Sequence, residues 1–181
     1  MHAATATFAT PMEAWILTPA DDLEQLFREH HGLVFRTAYR ITGNASDAED
    51  VLQTVFLRLA GRDPSAPPLQ NSEHYLRRAA VNAALDVVRS RHAQDTALVT
   101  DLQQADPTQG DRRELQDCLR RALARLSPEA AEVFTLRFLE GHSNREIAQM
   151  LGMSQVRVAV TVYRARQRLQ KEIRSYLGGK S

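Results

Sequence analysis

The amino-acid sequence predicts an all-α chain of two small helical domains joined by a flexible linker, the second of them a helix-turn-helix. Apolar residues recur at helical spacing in every patterned segment. No stretch alternates with the period of two that a half-buried strand needs, and no internal repeat appears. The helical pattern dissolves once, between residues 93 and 111, into Asp, Gln, Thr, one Pro and one Gly, the composition of an acidic tether. A length of 181 residues accommodates two such domains, and a hydrophobic fraction of 43% is enough to give each a core. The expected organisation is a loose extension over 1–20, a first domain over 21–92, the linker over 93–111 and a second domain over 112–181.

The elements follow in order. Met1 to Ala20 is rich in Ala and Thr, has no clear period, and lacks the basic-then-apolar order of a signal peptide. Leu23, Leu26, Phe27, Val34, Ala38 and Ile41 form the stripe of a first helix, which Gly43-Asn44 ends with a pair suited to positive φ. Ser46, with Glu49 three residues later, predicts a capping box. The helix it opens gathers Ala48, Val51, Leu52, Val55 and Leu59 on one face. Arg62 to Asn71 contains Pro64, Pro67 and Pro68 and is expected to be a loop. Ser72 is the expected cap of a third helix running to about His92, where Ala79, Ala80, Ala83 and Ala84 allow close helix approach. After the linker, Leu115, Leu119, Ala122 and Leu126 resume the helical spacing.

From Ser127 the pattern sharpens. Ser127-Pro128-Glu129 combines a capping serine, a proline at the first helical position and an acid at the helix's positive end. Ala130, Val133, Phe134 and Phe138 are its expected buried face, and Gly141 stops it. Ser143 with Glu146 is a second capping box; Ile147, Ala148 and Leu151 bury the short helix that follows. Gly152 permits a tight turn, Ser154 caps again, and a last helix runs to Leu177. A short helix, a glycine turn and a cationic second helix make a helix-turn-helix, whose second helix enters the major groove of DNA.

Val158, Val162, Ala165, Leu169 and Ile173 form the buried stripe of that last helix. The opposite side presents Val156, Val160, Tyr163, Arg164 and Gln167, with Arg157 on its flank. Valine meets a thymine methyl and arginine bridges guanine or grips phosphate. The competing reading of Val156 and Val160 is packing against another domain or a partner. Charge is segregated in the same sense. From Ser154 to Ser181 there are seven basic residues and one acid; from Asp21 to Ala60 there are seven acids and four arginines. A basic tail and an acidic head suggest two different partners, one of them a polyanion.

Several function classes are excluded on inventory. The lone Cys118 permits no disulfide framework and no cysteine-rich zinc site, and it reads as a small core residue in a reducing cytosol. His30, His31, His74, His92 and His142 show no metal-ligand spacing; no glycine-rich phosphate loop exists, and no nucleophile lies beside a recognisable base. No enzyme, no cofactor, no metal and no small-molecule substrate is expected. No apolar run reaches the ~18 residues of a membrane span.

The residues also resemble a known family. Gly141, Ser143, Glu146-Ile147-Ala148, Leu151-Gly152, Ser154 and Val158, followed by Tyr163-Arg164-Ala165-Arg166, are similar to the fourth region of bacterial RNA polymerase sigma factors. Response-regulator readers share part of that signature, so the N-terminal half decides. Leu26-Phe27-Arg28-Glu29-His30-His31, Tyr39-Arg40, Thr42-Gly43-Asn44, Asp47-Ala48-Glu49-Asp50-Val51, Gln53, Val55-Phe56-Leu57-Arg58 and Tyr75-Leu76-Arg77-Arg78, with Ala80, Asn82 and Ala84-Leu85-Asp86, resemble region two of the extracytoplasmic-function (ECF) group of the sigma-70 family. The likeness covers roughly Leu23 to Ile173.

The resemblance implies a cytoplasmic subunit that joins core RNA polymerase and directs it to promoter DNA, with an anti-sigma factor as a further partner. Core docking would fall to Asp47, Asp50, Gln53, Phe56 and Leu57, the -10 element to Tyr75, Arg77, Arg78, Asn82, Arg89 and Arg91, and the -35 element to Ser154, Gln155, Val156, Arg157, Val160, Tyr163, Arg164 and Arg168. At the -10 element a base leaves the stack and exposed single strand is held by aromatics and cations. Departures are few. Thr54 stands where an acid is usual, Tyr75 where tryptophan is, Val81 where arginine is frequent, and Ala159 and Thr161 replace basic residues. The last two changes imply a weaker salt-dependent grip and more thymine-directed contact. Two rivals stay open from the residues alone: a dimeric DNA-binding regulator that never docks on polymerase, and an interaction protein that competes for polymerase without initiating.

Overall fold

The computed structural model describes residues 19–63, 69, 71–97 and 107–178, with side chains described from Leu23 to Gln94 and from Glu114 to Ser175 within those stretches. Seven helices follow one another among them: α1 (Pro19–Thr42), α2 (Ala45–Ala60), α3 (Ser72–Ala97), α4 (Pro107–Ala124), α5 (Pro128–Phe138), α6 (Asn144–Leu151) and α7 (Gln155–Gly178), with no strand. The expectations for residues 1–18 and for most of the Arg62–Asn71 loop lie outside the described residues. Helix enters the expected linker from both ends, since α3 runs on to Ala97 and α4 begins at Pro107.

α1, α2 and α3 pack on one another, while α7 is packed by α4, α5 and α6. The expected stripes carry both cores. Val34, Ala38 and Ile41 of α1 and Ala48, Val51, Val55 and Leu59 of α2 are buried, as are Val158, Ala165 and Leu169 of α7. Cys118 is buried in α4. Each fully buried Leu, Ile or Val side chain here contributes roughly 1.5–3 kcal/mol relative to exposure.

α3 is the common element. It contacts α1 and α2 on one side and α4, α5 and α6 on the other. Its 26 residues run about 39 Å. At helical spacing Leu76, Ala80, Ala83 and Ala84 share one side, and Val81, Leu85 and Val88 share another; all seven are buried. A helix apolar around most of its circumference has to be covered around most of its circumference. The two halves of the chain are therefore packed against each other through α3.

Local rules failed at four places. Asn44 caps α2, its side chain accepting from the Asp47 N–H at 3.2 Å, so Ser46 lies inside the helix and its pattern with Glu49 caps nothing. Gly43, at φ 68, ends α1 and leaves Asn44 extended, which starts the next helix early. Likewise Asn71, not Ser72, caps α3 by accepting from the His74 N–H at 2.9 Å. In α5 the buried residues are Ala131, Glu132, Val133, Thr135 and Leu136, whereas Phe138 is half-exposed and stacks on Phe134. α5 is wedged between α7 and α3, so it buries two faces where its apolar pattern indicates one. Leu115, read as part of the α4 stripe, is exposed.

Replacing Asn44 by Ala should cost about 1 kcal/mol of stability in urea unfolding, while Ser46→Ala should stay within about 0.5 kcal/mol. The reverse order would reinstate the serine cap.

Candidate nucleic-acid interface

The α6–turn–α7 unit is fixed by local chemistry. The Ser143 side chain accepts from the Glu146 N–H at 3.2 Å, and the Ser143 N–H donates to Glu146 Oε2 at 2.7 Å. The Ser143 hydroxyl, which donates to Glu146 Oε2 at 2.7 Å, and next the Ser143 N–H hold the Glu146 carboxyl below its ordinary value. Gly152, in the left-handed region at φ 64, makes the turn, and Ser154 Oγ accepts from the Arg157 N–H at 3.2 Å to start α7. Ile147 and Ala148 of α6 are buried, as are Val158, Ala165 and Leu169 of α7.

The outer face of α7 is as the spacing predicts. Val156 is 74% exposed and Tyr163 64%; Val160, Gln155, Ser154, Arg164 and Arg168 are exposed with them. Among the described residues none covers the two valines. Arg157 is exposed and tied to Glu129 of α5 at 2.7 Å. Arg164 and Arg168 border an open cleft of about 560 Å³ together with Thr161 and the capped start of α5, Ser127 to Ala130. Two guanidiniums beside the positive end of a helix suit a phosphate, with the Glu129 carboxylate marking the limit of the favourable field.

The candidates for the -10 element are placed differently. Tyr75 is exposed at the start of α3. Arg77 donates to Glu73 at 2.7 Å and, across the seam between the halves, to Glu140 at 2.5 Å. Arg78 Nε and Asn82 Nδ2 both donate to one oxygen of Glu132, at 2.7 and 2.9 Å. Arg89 pairs with Asp86 at 3.2 Å and Arg91 with Asp47 at 2.5 Å. The Arg77 bond, foremost among several causes, holds the Glu73 carboxyl below its ordinary value.

On α2 the docking candidates divide. Asp50, Gln53 and Leu57 are exposed, Leu57 by 70%. Asp47 and Phe56 are buried, so of the five residues expected to dock only those three are open to a partner. Asp47 lies one turn before Val51 on the core stripe and faces Arg91; Phe56 lies one turn after Leu52 and meets Phe27 edge-on at 4.9 Å. Among the described residues no His, Cys, Asp and Glu cluster suits a metal, and no helix is long and apolar enough to cross a membrane.

With this geometry in hand, comparisons with known proteins are specific. The family description Sigma-70 region 2 matches residues 26–94, and Sigma-70, region 4 matches residues 116–169. The chain belongs to the ECF group of the sigma-70 family. It is 32% identical over 158 residues to the RNA polymerase sigma-E factor of Streptomyces avermitilis, covering 85% of this chain and 86% of that one. It is 33% identical over 149 residues to the ECF RNA polymerase sigma factor SigM of Mycobacterium tuberculosis, covering 82% and 75%. Among solved structures, the sigma factor RpoE of Bartonella quintana, in complex with the anti-sigma factor NepR, matches with a TM-score of 0.50 at 22% identity, covering 84% of this chain and 97% of that one, a likeness of fold.

As a member of that family, this sigma factor serves promoter-specific initiation by RNA polymerase, and its fourth region recognises the -35 element. Sigma factors are non-enzymatic initiation factors. The seam contacts of Thr37, Arg40, Glu132 and Glu140 were not legible in the sequence. A signal existed for Glu132, an acid three residues before Thr135 and four before Leu136, on a face of α5 that turns out to be buried.

His142, half-buried beside the seam, has its pKa lowered from 6.5, chiefly by burial and next by the Arg77 charge, and its Nε2 has no hydrogen-bond partner. A folded-state pKa below the unfolded one means that the unfolded chain binds more protons between the two values. The contribution of neutral His142 is thus present above about pH 6.5 and lost progressively as pH falls below it. Urea midpoints should drop between about pH 7.5 and pH 5.5, and His142→Gln should reduce that drop. An unaltered pH dependence in the variant would place the titration elsewhere.

Proposed function

We propose that this sigma factor grips core polymerase through the exposed edge of α2, opens and holds the -10 single strand with the N-terminal half of α3, and reads the -35 duplex with the outer face of α7. The observation that carries the reading is that outer face. Val156, Val160, Tyr163, Arg164 and Arg168 stand free on a helix whose start is fixed by Ser154 and Gly152, the arrangement of a groove-reading helix. Asp50, Gln53 and Leu57 offer an acidic rim around an exposed leucine, which suits a basic partner helix. Tyr75, Arg77, Arg78 and Asn82 supply one aromatic, two cations and an amide along a single helix, chemistry suited to unstacked bases. Arg89 and Arg91, each with an acid beside it on its own half, serve backbone contact in this scheme.

The protein works in the cytoplasm in this reading, has no enzymatic activity, and is held by an anti-sigma factor, as RpoE of Bartonella quintana was captured with one. Two outward valines, with Ala159 and Thr161 lacking charge, favour thymine methyls over phosphate.

In vitro transcription from a genomic library, with purified chain and core polymerase, tests the reading through new start sites; their absence would overturn it. Leu57→Asp should lower core binding by at least about tenfold, while leaving the free chain folded. Arg164→Ala should weaken promoter complexes by about 1–3 kcal/mol, and an unchanged footprint would remove Arg164 from the reader.

A further inference from the structure

Three arginines of α7 share one side of the helix and meet different surroundings. Arg157, Arg164 and Arg168 stand at i, i+7 and i+11, within a narrow arc, with Thr161 among them. That side flanks the outer face of Val156, Val160 and Tyr163 and turns toward the start of α5. Arg164 and Arg168 line the open cleft there, and among the described residues neither makes an ion pair. Arg157 is tied: its Nη2 donates to Glu129 Oε2 at 2.7 Å. Glu129 is the one acid among the described residues that line the cleft. Glu172, the acid of α7 itself, is taken by Arg125 of α4 at 2.6 Å.

The pair is not needed to hold the helices. Arg157 is 61% exposed and Glu129 45%, and an exposed ion pair adds little to stability. α5 is already started by Pro128 and by Ser127, whose Oγ accepts from the Ala130 N–H at 3.4 Å. α5 and α7 also pack directly on each other.

What the pair changes is the use of Arg157. Attraction to phosphate follows net charge, and a guanidinium beside a carboxylate has little net charge to offer. Hydrogen-bond donation follows direction instead. One bond to Glu129 leaves the other N–H groups of the fork available and fixed in aim. Arg157 lies in the first turn of α7, the part of a recognition helix that reaches base edges. A tethered fork there suits two acceptors on one base edge, guanine O6 and N7 above all. The untied Arg164 and Arg168 keep the phosphate role.

We propose that Glu129 is a specificity-determining positioning residue of the -35 reader, which withdraws Arg157 from phosphate and aims it at a base. Without Glu129, Arg157 becomes one more phosphate grip, and the reader binds more tightly and chooses less well. This rests on the reading of α7 as the -35 helix. Glu129 itself touches no base.

The test uses the holoenzyme, the full chain on core polymerase, with a mixed-sequence duplex of about 60 base pairs titrated from about 50 to 200 mM salt. Core polymerase contributes equally to wild type and variant, so the difference between them reports Glu129. Glu129→Ala should steepen the fall of log affinity with log salt by about one unit and raise low-salt affinity about three- to tenfold. Glu129→Gln removes the charge with little change of shape and should steepen it likewise, which guards against a folding defect in the alanine variant. Glu24→Gln, on the exposed face of α1, removes the same charge and should leave the slope unchanged. Among start sites from the genomic library, Glu129→Ala and Arg157→Ala should both relax base preference at the same -35 position. With Arg157→Ala in place, Glu129→Ala should add nothing to either readout. An unchanged slope, a slope change that persists without Arg157, or relaxation at a different position would each overturn the proposal. If Arg157→Ala leaves promoter choice intact while Arg164→Ala weakens promoter complexes, the proposal fails and the reading of α7 stands. If neither arginine matters, the reading of α7 fails and takes the proposal with it.

Discussion

A carboxylate with no exposed surface sits where the two halves of this chain meet, and the architecture depends on how it is satisfied. Burying one charge without partners costs several kcal/mol, more than most single contacts return. Glu140 escapes that cost because Thr37, Arg40 and Arg77 converge on it from two helices of the other half. The convergence sets the register of α5 against α3. It explains why α5 buries Glu132 and Thr135 while leaving Phe138 half in water. It also settles which side of α3 faces which half.

The helix-turn-helix obeys a different logic. Its caps, its left-handed glycine and its small buried seam are local, each satisfied within a few residues, so the outer face of α7 is held ready whatever the seam does. The first half instead keeps the residues proposed for the -10 single strand on a helix that also carries the interdomain contact. The last helix and α3 therefore differ in where their constraints come from: one from its neighbours in sequence, the other from residues up to 63 positions away. Membership of the ECF group gives both a place in promoter-specific initiation, and their different constraints bear on what must change when the free factor becomes a bound one.

α2 shows the same division on one helix. Core and surface alternate within single turns, so Asp47 and Asp50, three residues apart, end up respectively paired with Arg91 and open to solvent. Phe56 and Leu57 are adjacent, one packed edge-on against Phe27 and the other an exposed large apolar side chain. A family pattern marks all of these positions. Only the direction of each side chain separates those that hold the helix from those free to meet a partner.

Helical class, the order of the elements, the turn at Gly152, the capped starts at Ser127, Ser143 and Ser154 and the free face of α7 were all legible in the sequence, because each is set by periodicity or by hydrogen bonds spanning a few residues. So was the family, whose signature residues lie in short runs. The tertiary structure alone decided the rest. Asn44 displaced Ser46 as cap because Gly43 leaves it extended just before the helix, and Asn71 took the cap in place of Ser72. Asp47 and Phe56 went inward, and Arg77, Arg78 and Asn82 met Glu132 and Glu140 across 50 to 63 residues of chain. Pairing of buried charges is long-range and cooperative, and no spacing within one helix encodes it; it exists only once two apolar faces of α3 have each found a cover.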